Sequence, residues 1–483
     1  MKKSKEKPTY EELEKQLNKA LSEAKHDKAE LKKANKKIDD LELKINLLEY
    51  LNDPENSQKK QTDPTMEKNS GRIPRHTYRA EDIMTCLMLY VYCGCSYRSI
   101  PKALRVMRLR TGGEVGDLPD HTTVKGWVEK AGLAELNNTG KSLSESYAIV
   151  MDESISVGGF KLLLALGVPC LNEGRAVDHS DVVVLGMSVA SGFDSSDVSD
   201  TLRGVATDVG RPPLYVLSDG GTNLVKGAKE AGLPHHIDVG HRFAAIMKKV
   251  YGEEQDFKEL TELVGKTKHW SLDKDLAPLK APNQRSLARY MNVFPWAAWL
   301  EKVLGAYCLM TPKERYHLGF VQRHASLAEE LAEVCRMLKA VLSVLKTKGL
   351  SLSTARECSK IMADAQSVGG GKRMTTLCNM MTQYMSQELK VVGDSNEAHN
   401  ISSDIIESCF GIYKDRRSKD KMAGITSIVL TIPLFSYKKS EEKWQEIDIV
   451  ESFSATTISM VQQWRNDNLP ESPNQLRKYK LAI

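Results

Sequence analysis

Two aspartates stand at or near the ends of short apolar runs that have the composition of β-strands. The first run, 148–155, reads Ala-Ile-Val-Met-Asp-Glu-Ser-Ile and contains Asp152, and the second, 213–221, reads Pro-Leu-Tyr-Val-Leu-Ser-Asp-Gly-Gly and contains Asp219. Carboxylates on adjacent strands repel one another unless a cation lies between them, and hard oxygen ligands suit Mg²⁺ or Mn²⁺. If the fold brings the two runs together, these residues indicate metal-assisted chemistry.

A third carboxylate, Glu407, lies in a segment with helical periodicity. A Ser or Asp in 402–404 can cap a helix there, and Glu407 lies off the middle of its apolar stripe. The stripe consists of Ile405, Ile406, Cys409, Phe410 and Tyr413. A helix that packs this stripe on the sheet could aim Glu407 at the two aspartates.

The elements between the aspartates decide whether they meet. Two more strand-like runs, Phe160 to Val168 and Asp181 to Ala190, precede a helical segment, Ser195 to Val209. In a ribonuclease H-like sheet the first three strands form a meander and a helix then crosses over, so that strand four lies parallel to strand one. The predicted fold class is therefore α/β, with a ribonuclease H-like mixed sheet in which Asp152 and Asp219 are neighbours.

From Ala148 to Lys414 the order of elements resembles the D-D-E DNA transposases. The resemblance rests on the strand-borne aspartates, on Asp238-x-x-His241 shortly after the second of them, and on a Glu-bearing helix after a long insertion. An acidic or Cys residue followed by x-x-His at this place recurs in hAT-type and related transposases. It implies that His241 contacts a scissile phosphate or an active-site carboxylate, the alternative being a capping or buried histidine.

Glu407 and Lys414 also match the second half of the Tyr-Arg-Glu-Lys signature of one insertion-sequence group. Asn400 and Ser403 occupy the Tyr and Arg positions of that signature, so its first half is absent. The chain thus resembles the superfamily, of an insertion-sequence or hAT-like type, more than any one family.

The resemblance implies a DNA transposase that cleaves mobile-element ends and joins them to target DNA. Asp152, Asp219 and Glu407 would be the catalytic residues and would hold two Mg²⁺ or Mn²⁺ ions. One alternative is a nuclease of the same fold that does not join ends, and another is a domesticated, non-catalytic DNA-binding protein. In a third, the N-terminal helix is a scaffold and the aspartates only cap strand ends.

The N-terminal residues 1–51 are predicted to form a coiled coil. Apolar or small residues recur three and four apart, with Lys and Glu around them, which favours a parallel homodimer or higher homo-oligomer over a solitary charged helix. The positions are Tyr10, Leu13, Leu17, Ala20, Ala24, Asp27, Leu31, Ala34, Ile38, Leu41, Ile45 and Leu48, and the alanines and the charged Asp27 weaken the pattern. Residues 52–78 are predicted to form a polar linker.

Residues 79–140 are predicted to form a helical unit of helix-turn-helix type that binds double-stranded DNA. Helices are expected at Glu81 to Tyr92, from Ser96 through Met107, and from Pro119 to Lys130. The third helix would present His121, Thr122, Thr123 and Lys125 to DNA, with Arg98, Lys102, Arg105, Arg108 and Arg110 near phosphates. The alternative is an ordinary helical lead-in with a solvated basic face.

The catalytic fold is expected in two parts, 145–252 and 398–430, separated by a helical insertion at 253–397; residues 431–483 have no assigned chemistry. As the resemblance implies, Trp296 and Trp299 in the insertion are candidates for stacking on a displaced base, with the core as their alternative. Lys414, Arg416 and Arg417 follow Glu407 closely and are candidates for binding DNA phosphates. The alternative is that they belong to a solvated surface.

Length, net charge and cysteine content limit the kinds of protein to which this chain can belong. A chain of 483 residues with 41% hydrophobic residues can build several cores, and a net charge of +5 permits nucleic-acid binding without demonstrating it. Nine cysteines, no signal peptide and no bilayer-spanning apolar run favour a cytoplasmic protein without a membrane partner. It would be nucleoid-associated in a prokaryote or nuclear in a eukaryote.

Overall fold

The computed structural model describes residues 73–110, 115–138, 143, 146–154, 156–170, 174–272, 276–282, 293–369, 371–393 and 397–481. The predicted coiled coil at 1–51, and residues 52–72 of the predicted linker, lie outside this part of the chain. Within the described residues the protein is a mixed α/β fold with one five-stranded sheet and a majority of helix. None of the described helices is both long and apolar enough to cross a bilayer.

The first four strands of the sheet have the predicted order and directions, and a fifth strand, whose place was not predicted, extends the sheet. Its strands are β1 Tyr147–Glu153, β2 Lys161–Pro169, β3 Val183–Ala190, β4 Val216–Ser218 and β5 His235–Ile237. Their order is β3-β2-β1-β4-β5. The β1–β2 and β2–β3 pairs are antiparallel, whereas β1–β4 and β4–β5 are parallel. The predicted meander and the parallel pairing of strands one and four are confirmed.

Helices cover both faces of this sheet, which explains why β1 is apolar without alternation. The helices concerned are α4 Ser195–Val209, α5 Thr222–Glu230 and α13 Asp404–Arg416. Tyr147, Ile149 and Met151 share a core with α4 and α5, which follow β3 and β4 respectively. Ala148 and Val150 share the opposite core with α13.

A bundle of helices lies between the sheet and α13 in sequence. It contains α6 Val239–Tyr251, α7 Gln255–Lys266, α8 Val293–Ala306, α9 Pro312–Arg323, α10 Ala325–Lys348, α11 Leu352–Gly369 and α12 Lys372–Val392. These helices have their own core, to which α6 contributes Phe243, Ile246 and Tyr251. Thus α6 begins at the edge of the sheet and packs its body into the bundle.

The first three helices of the described residues share a core with residues 434–453. They are α1 Ala80–Val91, α2 Ile100–Arg110 and α3 His121–Asn137. The C-terminal helices are α14 Glu441–Glu446, α15 Ile449–Ala455, α16 Ile458–Asn468 and α17 Pro473–Leu481. Trp444 and Phe453 pack in one cluster with Ile83 and Trp127.

One predicted C-terminal helix is in fact two helices. The sequence predicts a single helix from Ser454 to Asn466, but α15 ends at Ala455 and α16 begins at Ile458. The hydroxyl of Thr457 accepts a hydrogen bond from the Met460 backbone N–H at 3.1 Å. This N-cap starts a new helix and interrupts the predicted one.

Candidate active site

Asp152 and Asp219 lie at the carboxyl ends of neighbouring parallel strands and on the same face of the sheet. In the parallel pair β1–β4, Val150 lies opposite Leu217, and each aspartate lies two residues beyond its member of that pair. Side chains alternate along a strand, so the two aspartates share the face of Val150 and Leu217. That face is the one on which α13, the helix carrying Glu407, packs.

The surroundings of Asp152 disfavour its charged form. Burial and the neighbouring charge of Asp219 raise the pKa of Asp152 to about 7, and Glu407 adds to the effect. The Glu153 backbone N–H donates to Asp152 Oδ1 at 2.7 Å and opposes this shift. The three acids therefore interact electrostatically, and burial together with the like charges of its neighbours favours the protonated form of Asp152.

Backbone turns hold Asp219 in place after β4. The Gly221 backbone N–H donates to Asp219 Oδ1 at 2.8 Å, and Gly220 adopts a φ of 86°. That φ is in the left-handed region, which glycine enters without steric cost. The turn leads directly into α5 and fixes the direction in which the carboxylate leaves the strand.

Glu153, beside Asp152, accepts hydrogen bonds from two side chains, which the sequence did not predict. Lys161 donates to Glu153 Oε2 at 2.8 Å, and the Asn223 side-chain amide donates to Oε1. Glu153 thereby ties the end of β1 to β2 and to the first turn of α5. The only sequence signal for it was its position next to Asp152.

Glu407 lies in the first turn of α13, and its side chain is 47% exposed. Burial raises the pKa of Glu407, while the charge of His241 opposes that change. His241 Nε2 lies 3.8 Å from Glu407 Oε1. This distance allows an electrostatic interaction but is too long for a hydrogen bond, so the predicted contact of His241 with an active-site carboxylate stays a prediction.

Asp238 orients His241. It is 2% exposed and caps α6, and its Oδ1 accepts from the His241 backbone N–H at 2.7 Å and lies 3.0 Å from the ring Nδ1. This hydrogen bond raises the pKa of His241 to about 9, with further contributions from Glu407 and Asp219. At neutral pH the imidazole therefore carries a positive charge among the carboxylates.

Asp238→Asn is expected to lower the pKa of His241 from about 9 toward the ordinary value of about 6.5. The amide can still cap α6 but loses the charge that favours the imidazolium. NMR titration of the His241 ring in metal-free protein measures the change, with His179 as an internal reference that should not move. A His241 pKa that stays near 9 would assign the shift to Glu407 and Asp219 instead.

Asp152 and Asp219 lie on one face of the sheet, opposite the helix that carries Glu407, and carboxylates are the ligands that hard divalent cations prefer. Among the described residues, however, no group of three or more His, Cys, Asp or Glu side chains is gathered closely enough to hold a metal ion. No protein-family model and no curated protein matches this chain. The like charge of Asp219 contributes, after burial, to the raised pKa of Asp152, and a bound cation would offset that contribution.

Arg416, predicted to grip a DNA phosphate, joins two helices. Its guanidinium donates to the carbonyls of Tyr90 and Val91 at 3.2 and 3.3 Å and lies 4.5 Å from the centre of the Tyr90 ring. Arg416 therefore ties α13 to the end of α1. Lys414 lies over the Phe410 ring at 5.8 Å, and Arg417 donates to the Ser418 carbonyl at 3.1 Å.

The tryptophans proposed for base stacking pack inside the bundle. Trp296 is 2% exposed, with its ring centroid 5.7 Å from that of Phe257. Trp299 is half-buried against the same core and donates to the Leu279 carbonyl at 3.1 Å. Trp296 has no free face for a base, so its predicted stacking role is wrong and the core alternative holds.

The exposed residues of α3 lie at its two ends, in the first turn and at Asn137. Thr122 is exposed, but its N–H and hydroxyl both donate to Asp120 Oδ1, at 2.8 and 2.7 Å. Thr123 is half-buried, and Lys125 Nζ lies 3.5 Å from Glu129 Oε1. From Val124 onward most of the helix is buried, which leaves little of α3 to enter a DNA groove.

Proposed function

We propose that this protein is a D-D-E DNA transposase with a ribonuclease H-like catalytic fold. It cleaves the ends of a mobile element and joins them to target DNA by phosphoryl transfer. The observation that carries the proposal is the parallel β1–β4 pair, which sends Asp152 and Asp219 to one edge and one face of the sheet, opposite the helix of Glu407. The strand order β3-β2-β1-β4-β5 supports the same fold.

Asp152, Asp219 and Glu407 would hold two Mg²⁺ or Mn²⁺ ions, which supply activation of a water or 3′-hydroxyl and stabilisation of the leaving oxygen in an in-line displacement. His241 adds a fixed positive charge beside Glu407, where a scissile phosphate would be attracted. Asp238 keeps the imidazole oriented. The mechanism needs neither a Tyr nor a Ser nucleophile.

DNA binding is assigned first to α2, which is the most open and most basic of the three N-terminal helices. Of its eleven residues only Ile100 and Leu104 are buried, and its sequence contains no acidic residue. Lys102, Arg105 and Arg110 are exposed. This helix therefore offers the phosphate contacts, while the first turn of α3 offers Thr122, Thr123 and Lys125.

Changing Lys102, Arg105 and Arg110 together to Gln is expected to weaken binding to any duplex. Each lost phosphate contact removes about 0.9 from the slope of log affinity against log salt, so the slope should become shallower by about 2 to 3. Fluorescence anisotropy with end DNA and random DNA at several salt concentrations measures it.

A matched charge change elsewhere controls for net charge. Lys226, Lys229 and Lys249 are exposed on α5 and α6, and changing all three to Gln removes the same charge. This variant should keep the parent salt slope. Equal flattening in both variants would show that overall charge, and not α2, governs binding.

The test of the proposed function uses the full chain, Mg²⁺ and DNA carrying the sequences that flank the gene. Cleavage at those sequences followed by joining to a second DNA supports the transposase. Cleavage without joining would indicate the nuclease of the same fold. DNA binding without metal-dependent cleavage would indicate the non-catalytic binding protein.

The active assembly is proposed to be a homodimer or larger homo-oligomer, because joining two element ends requires that both be held together. The predicted coiled coil at 1–51 is the segment we assign to this pairing.

A further inference from the structure

Three titratable side chains form a buried hydrogen-bonded chain away from the carboxylates. His236 is 0% exposed, Glu388 6% and His399 7%. His236 Nδ1 lies 2.7 Å from Glu388 Oε2, and His236 Nε2 lies 2.9 Å from His399 Nδ1. Burying such groups costs free energy unless each finds a partner, so the chain fixes the relative position of the three elements that supply it.

Those elements are otherwise distant in sequence. His236 belongs to β5, at the edge of the sheet, and Glu388 belongs to the last turns of α12 in the helical bundle. His399 belongs to residues 397–403, hereafter the return segment, which leads from the bundle to α13. The chain therefore joins sheet, bundle and return segment at one point.

The return segment is held along its length by backbone contacts. His399 exchanges two backbone hydrogen bonds with Leu350, at 2.7 and 2.9 Å, and the Val239 N–H donates to the Ile401 carbonyl at 2.9 Å. The Ser403 N–H then donates to Asp238 Oδ2 at 2.7 Å. Glu407 follows within one turn of helix, so the place of this segment sets the start of α13.

The side chain of His399 is packed as well as hydrogen-bonded. Its ring stacks on Tyr215 with centroids 4.4 Å apart and planes 14° apart. Burial and the neighbouring His236 lower the pKa of His399 to about 4, so its ring is neutral at physiological pH. A neutral ring can share a hydrogen with His236 without adding a second buried charge.

We propose that Glu388, His236 and His399 are positioning residues that lock the return segment to the edge of the sheet and thereby set Glu407 opposite Asp152 and Asp219. This inference rests on the proposed function for the catalytic role of Glu407. It assigns to the helical bundle a role in completing the site.

A second contact between the same two elements provides a matched control. Tyr384 on α12 donates to the Ile237 carbonyl of β5 at 2.6 Å and is 1% exposed. Tyr384→Phe removes one buried hydrogen bond between α12 and β5 but leaves the return segment untouched. This variant therefore shows the effect of losing one hydrogen bond between α12 and β5 when the return segment is unchanged.

The test replaces His399 with Phe, which keeps a ring on Tyr215 and removes the partner of His236. Hydrogen–deuterium exchange of the full chain, without metal or DNA, is expected to be about tenfold faster or more in peptides covering 397–410, since one buried hydrogen bond is lost. His399→Asn, whose side chain can still bond to His236, is expected to restore most of the protection. With Tyr384→Phe these peptides should exchange as in the parent.

Cleavage kinetics supply the second arm. His399→Phe is expected to lower kcat by about tenfold or more with the KM for DNA unchanged, because misplacement of Glu407 affects the transition state and not DNA binding. Unchanged exchange at 397–410, exchange that rises equally over the whole chain, or an unchanged kcat overturns the inference. A parent protein that cleaves no DNA would refute the proposed function. The exchange measurement would still decide whether the hydrogen bonds of Glu388, His236 and His399 lock the return segment.

Discussion

Asp152→Asn, Asp219→Asn and Glu407→Gln should each lower metal-dependent DNA cleavage by about a thousandfold or more. The amide keeps the shape of the side chain but removes the charge that holds a divalent cation. Loss of several kcal/mol of transition-state stabilisation corresponds to a factor of this size. Initial cleavage rates at saturating DNA measure the effect, and anisotropy should show DNA binding unchanged.

A nearby carboxylate, Asp404, provides the control for these variants. Asp404→Asn changes an exposed residue at the start of α13 that pairs with Lys346, and it should cleave at close to the parent rate. If Asp404→Asn is inactive and Glu407→Gln is active, Asp404 is the third carboxylate.

Metal-free stability gives an independent readout for Asp152. Its pKa is raised from 3.8 to about 7, so its ionisation destabilises the fold as pH rises through that interval. Asp152→Asn is therefore expected to raise Tm at pH 8 and to have little effect at pH 4. A lower Tm at pH 8 would show that the charge of Asp152 is already compensated within the protein.

Gly132→Ala is expected to destabilise the protein by about 3 kcal/mol or more. Gly132 lies where α3 crosses the turn at 427–431, and a Cβ at this residue would lie 1.6 Å from the carbonyl oxygen of Leu430. A backbone atom cannot move aside as a side chain can, so the two segments would have to separate. Urea unfolding followed by circular dichroism measures the loss.

The same substitution at Gly126 is the matched control. It lies on α3 as well, but its Cβ would meet only the Ile458 side chain at 3.7 Å, an ordinary contact. Ala is favoured over Gly in a helix by about 1 kcal/mol, so Gly126→Ala should be neutral or stabilising. Equal stability of Gly132→Ala and the parent would contradict the packing of α3 on this turn.

Elements with strong local signals could be predicted closely. The helix at Ser195–Val209 has the predicted bounds, because Asp194 forms a capping box at its start and Gly210, with a φ of 77°, ends it. The apolar runs predicted the strands, and the ribonuclease H-like pattern supplied the order that made Asp152 and Asp219 neighbours. The helix bounds and the strand runs are encoded within a few neighbouring residues, whereas the strand order is not.

Features that depend on distant partners were missed. The third helix was predicted to end at Lys130 but continues to Asn137. Glu129 and Lys130 are polar yet buried, since Ser427 donates to one and the other donates to the Phe453 carbonyl at 2.7 Å. No local pattern shows that such partners exist some 300 residues away.

The candidate site also combines residues that local patterns reveal with residues whose partners are distant in sequence. Asp152, Asp219 and Glu407 carry strand or helix patterns that can be read locally. The basic run that contains Arg416 looked like a phosphate-binding surface, because composition does not reveal that its guanidinium lies against Tyr90. The chain of Glu388, His236 and His399 joins residues that only the folded topology brings together.

The core shared by residues 73–131 and 434–453 has a consequence for synthesis on the ribosome. A protein is made from its N-terminus, so α1, α2 and α3 leave the ribosome long before Trp444 and Phe453 exist to cover them. These helices can reach their final packing only after residues 434–453 have been made. The DNA-binding surface proposed for α2 therefore acquires its full core only after Asp152, Asp219 and Glu407 have also been made.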